Sequence, residues 1–173
     1  MLTTTSESNG SNSSWREVAE SGEGLAFEDF LSFRLGRLNT LLQRETTRRY
    51  LDPFGLTHPE WRVLARLNGH VSIEMSQLTL TSLMDKAGIS RAVEMLLGKG
   101  LAQRHAHPAN AKRRIVAITP AGRRAMRKVL PLALREQAAL LRLLSAQERT
   151  MLDGVLSRLT QALQGSAEVQ TDG

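Results

Sequence analysis

The chain has 173 residues, 41% of them apolar, a formal net charge of +6 and no cysteine. That suffices for one domain of ordinary size with a packed core, and it excludes disulfides, thiolate metal sites and cysteine redox chemistry. No apolar run approaches the roughly 18 residues a membrane helix needs, and the basic balance favours anionic partners.

Residues 1–23 are rich in Ser, Thr, Asn, Gly and Glu. They carry too little apolar surface to offset their ordering entropy, so they are expected to form a disordered tail. The segment has neither a basic start nor an apolar core, which argues against a secretory signal and for a cytoplasmic protein. A first helix is predicted from Leu25 to Tyr50, with Phe27, Phe30, Leu31, Leu35, Leu38 and Leu41 at helical spacing. Asp52, Pro53 and Gly55 end it. Thr57 and Glu60 form a capping box for the second helix, with Leu56 and Trp61 as a hydrophobic staple. That helix carries Val63, Leu64 and Leu67 and stops near Asn68-Gly69.

"VSIEM" predicts a short strand. Ser76 is placed as the cap of a small helix over 77–83. A turn over Met84–Ala87 leads to a helix over Gly88–Gly98, and a two-stranded hairpin follows over Leu101–Ile118. Thr119-Pro120 is a cap followed by proline at the first helical position. The long helix it opens is predicted to reach Leu144, with a bend at Pro131. Ser145 and Glu148 form a second capping box before a last helix carrying Met151, Leu152, Val155, Leu156, Leu159 and Leu163. Residues 165–173 are expected to be a flexible tail.

The fold expected is mainly α with a small β-hairpin wing. Residues 55–119 make a winged helix-turn-helix DNA-binding lobe, and 24–54 with 120–164 make a helical dimerisation region. The leucines of the outer helices exceed what one small domain covers, which points to a two-fold homodimer.

In "MSQLTLTSLMDKAGISRAVEMLLGKGLAQR" the second helix is the one a helix-turn-helix lays in the major groove. Lys86, Ser90, Arg91 and Glu94 are then the candidates for base edges. Arginine bonds guanine bidentately, serine suits several edges, and glutamate accepts from cytosine. An ordinary amphipathic helix pair with a solvated face has the same pattern, so charge distribution decides. No Asp or Glu lies between Glu94 and Glu136, whereas Lys99, Arg104, Lys112, Arg113, Arg114, Arg123, Arg124, Arg127, Lys128 and Arg135 do. A field of one sign over a hairpin and the next helix is the footprint of a polyanion site. Lys112, Arg113 and Arg114 at the hairpin tip are expected to meet phosphates, with Lys112 and Arg113 entering the minor groove.

His105 and His107 share a strand face, but no cysteine or nearby carboxylate completes a metal set. No cofactor motif, nucleophile elbow or carboxylate pair is present, so no enzyme action is expected.

"GLTHPEWRVLARL", "ISRAVEMLLGKGLAQR" and "RRIVAITPAGRRAM" together resemble the MarR family of transcription regulators, over about Leu25 to Leu163. The resemblance implies a homodimer that binds a pseudo-palindromic operator, as a repressor released by a small ligand. Where the family commonly has Asp-x-Arg in the wing, this chain has Asn110-Ala111-Lys112. The loss of the aspartate removes a charge partner inside the hairpin and predicts a more mobile wing. The resemblance also places the effector between the dimer helices and the DNA-binding lobe. Here that means Arg34 and Arg37 on the first helix and His58, Trp61 and Arg62 at the start of the second. An arginine pair suits a carboxylate and a tryptophan face suits a flat ring, so a small aromatic acid is the expected effector. The competing readings are an architectural or non-specific DNA-binding protein without effector, and a protein-interaction module on a winged fold.

Overall fold

The computed structural model describes residues 14–81 and 84–169. Helix α1 spans Leu31–Thr46, α2 His58–Asn68, α3 Met75–Thr81, α4 Lys86–Gly98, α5 Pro120–Leu141 and α6 Ala146–Val169. Strand β1 is Ile73–Glu74, β2 Ala102–His107 and β3 Asn110–Ile118. The fold is therefore mainly helical with one small sheet. The chain divides into two compact units, Met1–Glu45 and Thr46–Gly173.

In the first unit the helix expected over 25–50 does not start at Leu25. A single 3-10 turn, Phe27–Asp29, comes first, and Phe30 leaves it with ψ 131°. Aromatic packing accounts for this entry. The Phe27 ring lies 5.4 Å from Phe30 and 5.1 Å from Phe33. The Trp15 indole N–H donates to the Asp29 carbonyl at 2.6 Å, so the predicted tail already makes a tertiary contact at Trp15. Residues 1–13 lie outside the described residues.

The second unit opens with a π-helical turn, Thr47–Leu51, and a 3-10 turn, Asp52–Phe54. Gly55 then takes φ 61°, a left-handed conformation that glycine adopts without steric cost. The capping box forms in both directions. The Glu60 N–H donates to Thr57 Oγ1 at 3.4 Å, and the Thr57 N–H donates to Glu60 Oε2 at 2.7 Å. Leu64, Leu78, Ile89, Leu96, Val116 and Val129 bring α2, α3, α4, β3 and α5 into one buried core. The antiparallel sheet has the order β1-β3-β2, with Ile73 opposite Val116 and Ala102 opposite Ile118.

Some boundaries differ from expectation. Helix α3 starts at Met75, so Ser76 is not its cap; the Ser76 hydroxyl donates to Glu74 at 3.3 Å instead. Helix α4 starts at Lys86 because Asp85 is its N-cap and accepts from the Gly88 N–H at 3.0 Å. Helix α5 continues through Pro131, and α6 continues to Val169. Residues 165–169 therefore extend an existing helix, where adding a residue such as Ala or Glu costs little, rather than starting a tail. The second capping box is present: the Ser145 N–H donates to Glu148 at 2.7 Å and the Glu148 N–H to Ser145 at 3.3 Å. Among the described residues no helix is long and apolar enough to cross a membrane.

Candidate nucleic-acid interface

Helix α4 is fixed from behind. Ile89, Ala92, Val93 and Leu96 are buried, and Lys86, Ser90, Arg91 and Glu94 are exposed. Lys86, Ser90 and Glu94 follow one another at four-residue spacing, so they form one stripe with Arg91 beside it. The residues expected at base edges are thus displayed together. Glu94 is already engaged, however, because Arg104 of β2 pairs with it. The reason is topological. Gly100, with φ 66°, turns the chain so that β2 packs along α4. That pair engages Glu94 Oε1, one of its two accepting oxygens.

The wing also differs from its sequence reading. Strands β2 and β3 pair from Ala102↔Ile118 to Ala106↔Arg114, and then His107 pairs with Asn110. Residues 111–113 therefore bulge from β3. Arg113 is not uncompensated: its Nη2 bonds Glu74 Oε2, and His107 Nε2 lies 3.3 Å from Glu74 Oε1. Glu74 is far from the acid-free window in sequence. It arrives on β1, which pairs with β3 opposite Ile115. Arg114 is exposed, and Lys112 lies on β3 with its side chain outside the described residues. The basic window is also divided in space. The first cations of α5, Arg123 and Arg124, follow the hairpin base at Ile118, five residue steps of β2 from the tip. That is about 17 Å of strand.

A second feature lies between α2 and α3. A cavity of about 370 Å³ is lined by Trp61, Arg62, Ala65, Arg66 and Thr81. Trp61 and Arg62 were expected at a ligand site. Arg66 was not, although it stands four residues after Arg62 and so on the same helix face. Thr81 reaches the cavity only through the fold. The Trp61 ring meets the buried Tyr50 ring edge-on at 6.0 Å. His58 is half-buried on the first turn of α2 and does not line the cavity. Burial, and then the nearby Arg62 charge, push its imidazole below the ordinary histidine value. Arg34 and Arg37 belong to the first unit, where the Arg34 guanidinium sits 4.4 Å from the centre of the Trp15 ring and Arg37 is exposed.

Comparison with known proteins gives this geometry its context. A sequence model described as the MarR family matches residues 54–113, from the start of the helix-turn-helix lobe to the wing tip. The transcriptional regulator HosA of Escherichia coli O111:H- is 24% identical over 126 residues, 73% of this chain and 93% of its own. The crystal structure of a probable transcriptional regulator from Pseudomonas aeruginosa is 33% identical, with a TM-score of 0.70 over 78% of this chain and 99% of that one. BpsR of Bordetella bronchiseptica, whose DNA binding is regulated by 6-hydroxynicotinic acid, shares the fold at 20% identity, with a TM-score of 0.71 over 79% of this chain and 96% of its own. A displayed recognition helix, a β-hairpin wing and these relatives converge: the chain belongs to the MarR family of winged helix-turn-helix DNA-binding transcriptional regulators, a family without enzymatic activity.

Proposed function

We propose that this regulator is a homodimeric repressor that binds a pseudo-palindromic operator and is released from it by a small aromatic carboxylic acid. The cavity on α2 is the observation that carries the effector. It brings two cations, Arg62 and Arg66, together with Trp61. Its volume of about 370 Å³ falls within the range of small-molecule sites. Arginine forks bind carboxylates bidentately, and an indole face suits a flat ring. Burial and the nearby Arg62 charge disfavour the charged form of His58, so the positive charge for the acid comes from arginine. The regulation of BpsR by 6-hydroxynicotinic acid, a heteroaromatic acid, supports the same ligand class.

Release follows from where the cavity lies. Thr81 is on the last turn of α3, and α4 begins at Lys86. A ligand held between α2 and Thr81 acts on the turn that sets the recognition helix. A preference of a few kcal/mol for a non-binding arrangement shifts the population enough. The second copy is supported by Leu134 on α5 and by Met151 and Leu163 on α6, each more than 60% exposed in the single chain.

Titration calorimetry with benzoate, cinnamate and 6-hydroxynicotinate tests the reading. One of these acids should bind and should strip the protein from DNA. Arg62→Ala and Arg66→Ala should each weaken that binding about tenfold or more. Arg34→Ala and His58→Ala measure the contribution of the residues singled out from sequence. If no acid binds, or if the Arg62 and Arg66 variants bind as tightly as the parent, the effector is of another class or sits elsewhere. Equal affinity for every duplex would favour an architectural protein instead.

A further inference from the structure

The hairpin ladder is regular to Ala106↔Arg114 and resumes at His107↔Asn110, so residues 111–113 have no counterparts on β2. A bulge of this kind gives up ladder hydrogen bonds, so its shape depends on side chains. At this tip they converge on one carboxylate. The Glu74 side chain is only 14% exposed. Its Oε2 accepts from Arg113 Nη2 in the bulge and from the Ser76 hydroxyl at 3.3 Å. Its Oε1 faces His107 Nε2 at 3.3 Å. His107 accepts the Ala109 N–H on Nδ1 at 3.1 Å. An accepting Nδ1 carries no proton, so the neutral imidazole has its proton on Nε2, the nitrogen beside Glu74. One carboxylate therefore meets the tip at two points: Arg113 on β3 bonds it, and His107 at the Pro108-Ala109 turn lies beside it.

We propose that Glu74 is the positioning residue of the wing, fixing the bulged tip so that the hairpin enters the minor groove while α4 occupies the major groove. The wing lacks an aspartate at Asn110, and β1 supplies the missing carboxylate from outside the hairpin. This rests on the hairpin being a DNA-contacting wing and is independent of any effector, so it stands or falls without the aromatic-acid reading.

The sign of one measurement tests it. An acidic group beside a DNA surface repels phosphate, so by charge alone its removal tightens binding to every duplex. A positioning role predicts the opposite for a specific site. The probes are a duplex selected from a random-sequence library by the full-length parent protein and a scrambled duplex of the same length. Glu74→Ala should weaken binding to the selected duplex about tenfold and leave binding to the scrambled one unchanged or tighter. Glu74→Gln keeps one oxygen for Arg113 and should recover part of the loss. Nitrogen-15 spectra of the free protein should show His107 as the Nε2–H tautomer in the parent and as a tautomeric mixture in Glu74→Ala. If Glu74→Ala tightens both duplexes, or weakens both equally, Glu74 is a screening charge or a general structural residue and the proposal fails. An unchanged His107 tautomer would remove the second arm of the hold. Should Glu74→Ala fail to fold, Glu74→Gln carries the same comparison between duplexes.

Discussion

Lys99 Nζ lies 2.6 Å from Glu60 Oε1, which ties the end of α4 to the start of α2. The same ammonium donates to the Gly55 carbonyl at 2.6 Å. The Glu60 side chain is 1% exposed, so its charge is held out of water by one partly buried lysine and the Thr57 cap. Removing one partner of such a pair leaves a stranded charge, which costs more than the pair itself contributes. Lys99→Met should lower the unfolding free energy by about 3 kcal/mol in urea titrations.

The same pair gives an acid dependence. Burial pushes the Glu60 carboxyl up, but hydrogen bonds from Lys99 and from the Thr57 backbone and hydroxyl, with the Lys99 charge, outweigh it and hold the group below its ordinary value. A folded-state pKa lower than the unfolded one means that the unfolded chain takes up the proton first. The contribution is therefore complete above the ordinary value of 4.5 and is lost as pH falls below it. Thermal melts of Glu60→Gln should be flatter with pH than the parent in the range below 4.5. An equal slope would remove Glu60 as the source.

Gly122 stands where α5 meets the hairpin base. A Cβ there would lie 2.1 Å from the Leu101 carbonyl oxygen and 2.7 Å from Ile118 Cγ1. The carbonyl is engaged by the Thr119 N–H at 3.1 Å and cannot yield without breaking that bond. Gly122→Ala should destabilise the fold by about 3 kcal/mol, the upper end of ordinary overpacking. A change below about 0.5 kcal/mol in chemical unfolding would show that α5 slides freely.

Arg91 is the exposed arginine on the recognition helix. Arg91→Ala should cost about 1–3 kcal/mol on a selected duplex and little on a scrambled one. If discrimination survives the change, base reading lies elsewhere. Affinity of the parent should fall by about 10³–10⁵ between roughly 50 and 200 mM salt if the dimer meets about 6–10 phosphates.

The outer leucines predict assembly. Sedimentation at micromolar concentration should give a dimer, and Leu134→Glu combined with Leu163→Glu should shift it toward monomer. A parent that sediments as a folded monomer would overturn the second copy. The half-sites of the selected duplex should lie about one helical turn apart, or a multiple of it.

Local chemistry was legible in the sequence. Thr57 with Glu60, Thr119 before Pro120, and Ser145 with Glu148 each announce a helix start, and each forms the hydrogen bonds its spacing dictates. The apolar positions of α2 and α4 likewise gave the buried faces. What escaped were pairs made only by tertiary proximity. Glu74 and Arg113 are 39 residues apart, as are Glu60 and Lys99. Counting acids along the chain made the wing look bare because the carboxylate that serves it comes from another strand. Thr81 joins the cavity for the same reason. The π-helical turn at Thr47–Leu51 escaped differently: residues 43–49 are all polar, so apolar spacing carries no signal there, and the packing of Tyr50 against Trp61 is invisible until α2 is in place.

The separation between the wing tip and the start of α5 changes what ionic strength does to this molecule. At physiological salt the screening length is about 8 Å, shorter than the roughly 17 Å of strand between the hairpin base, which α5 follows, and the tip. In dilute buffer of about 0.01 M it is about 30 Å, longer than the hairpin. The same cations therefore act as one continuous field in dilute buffer and as two separate ones near physiological salt. Measurements in the first regime report attraction from the whole basic window. Measurements in the second report each group of cations by itself.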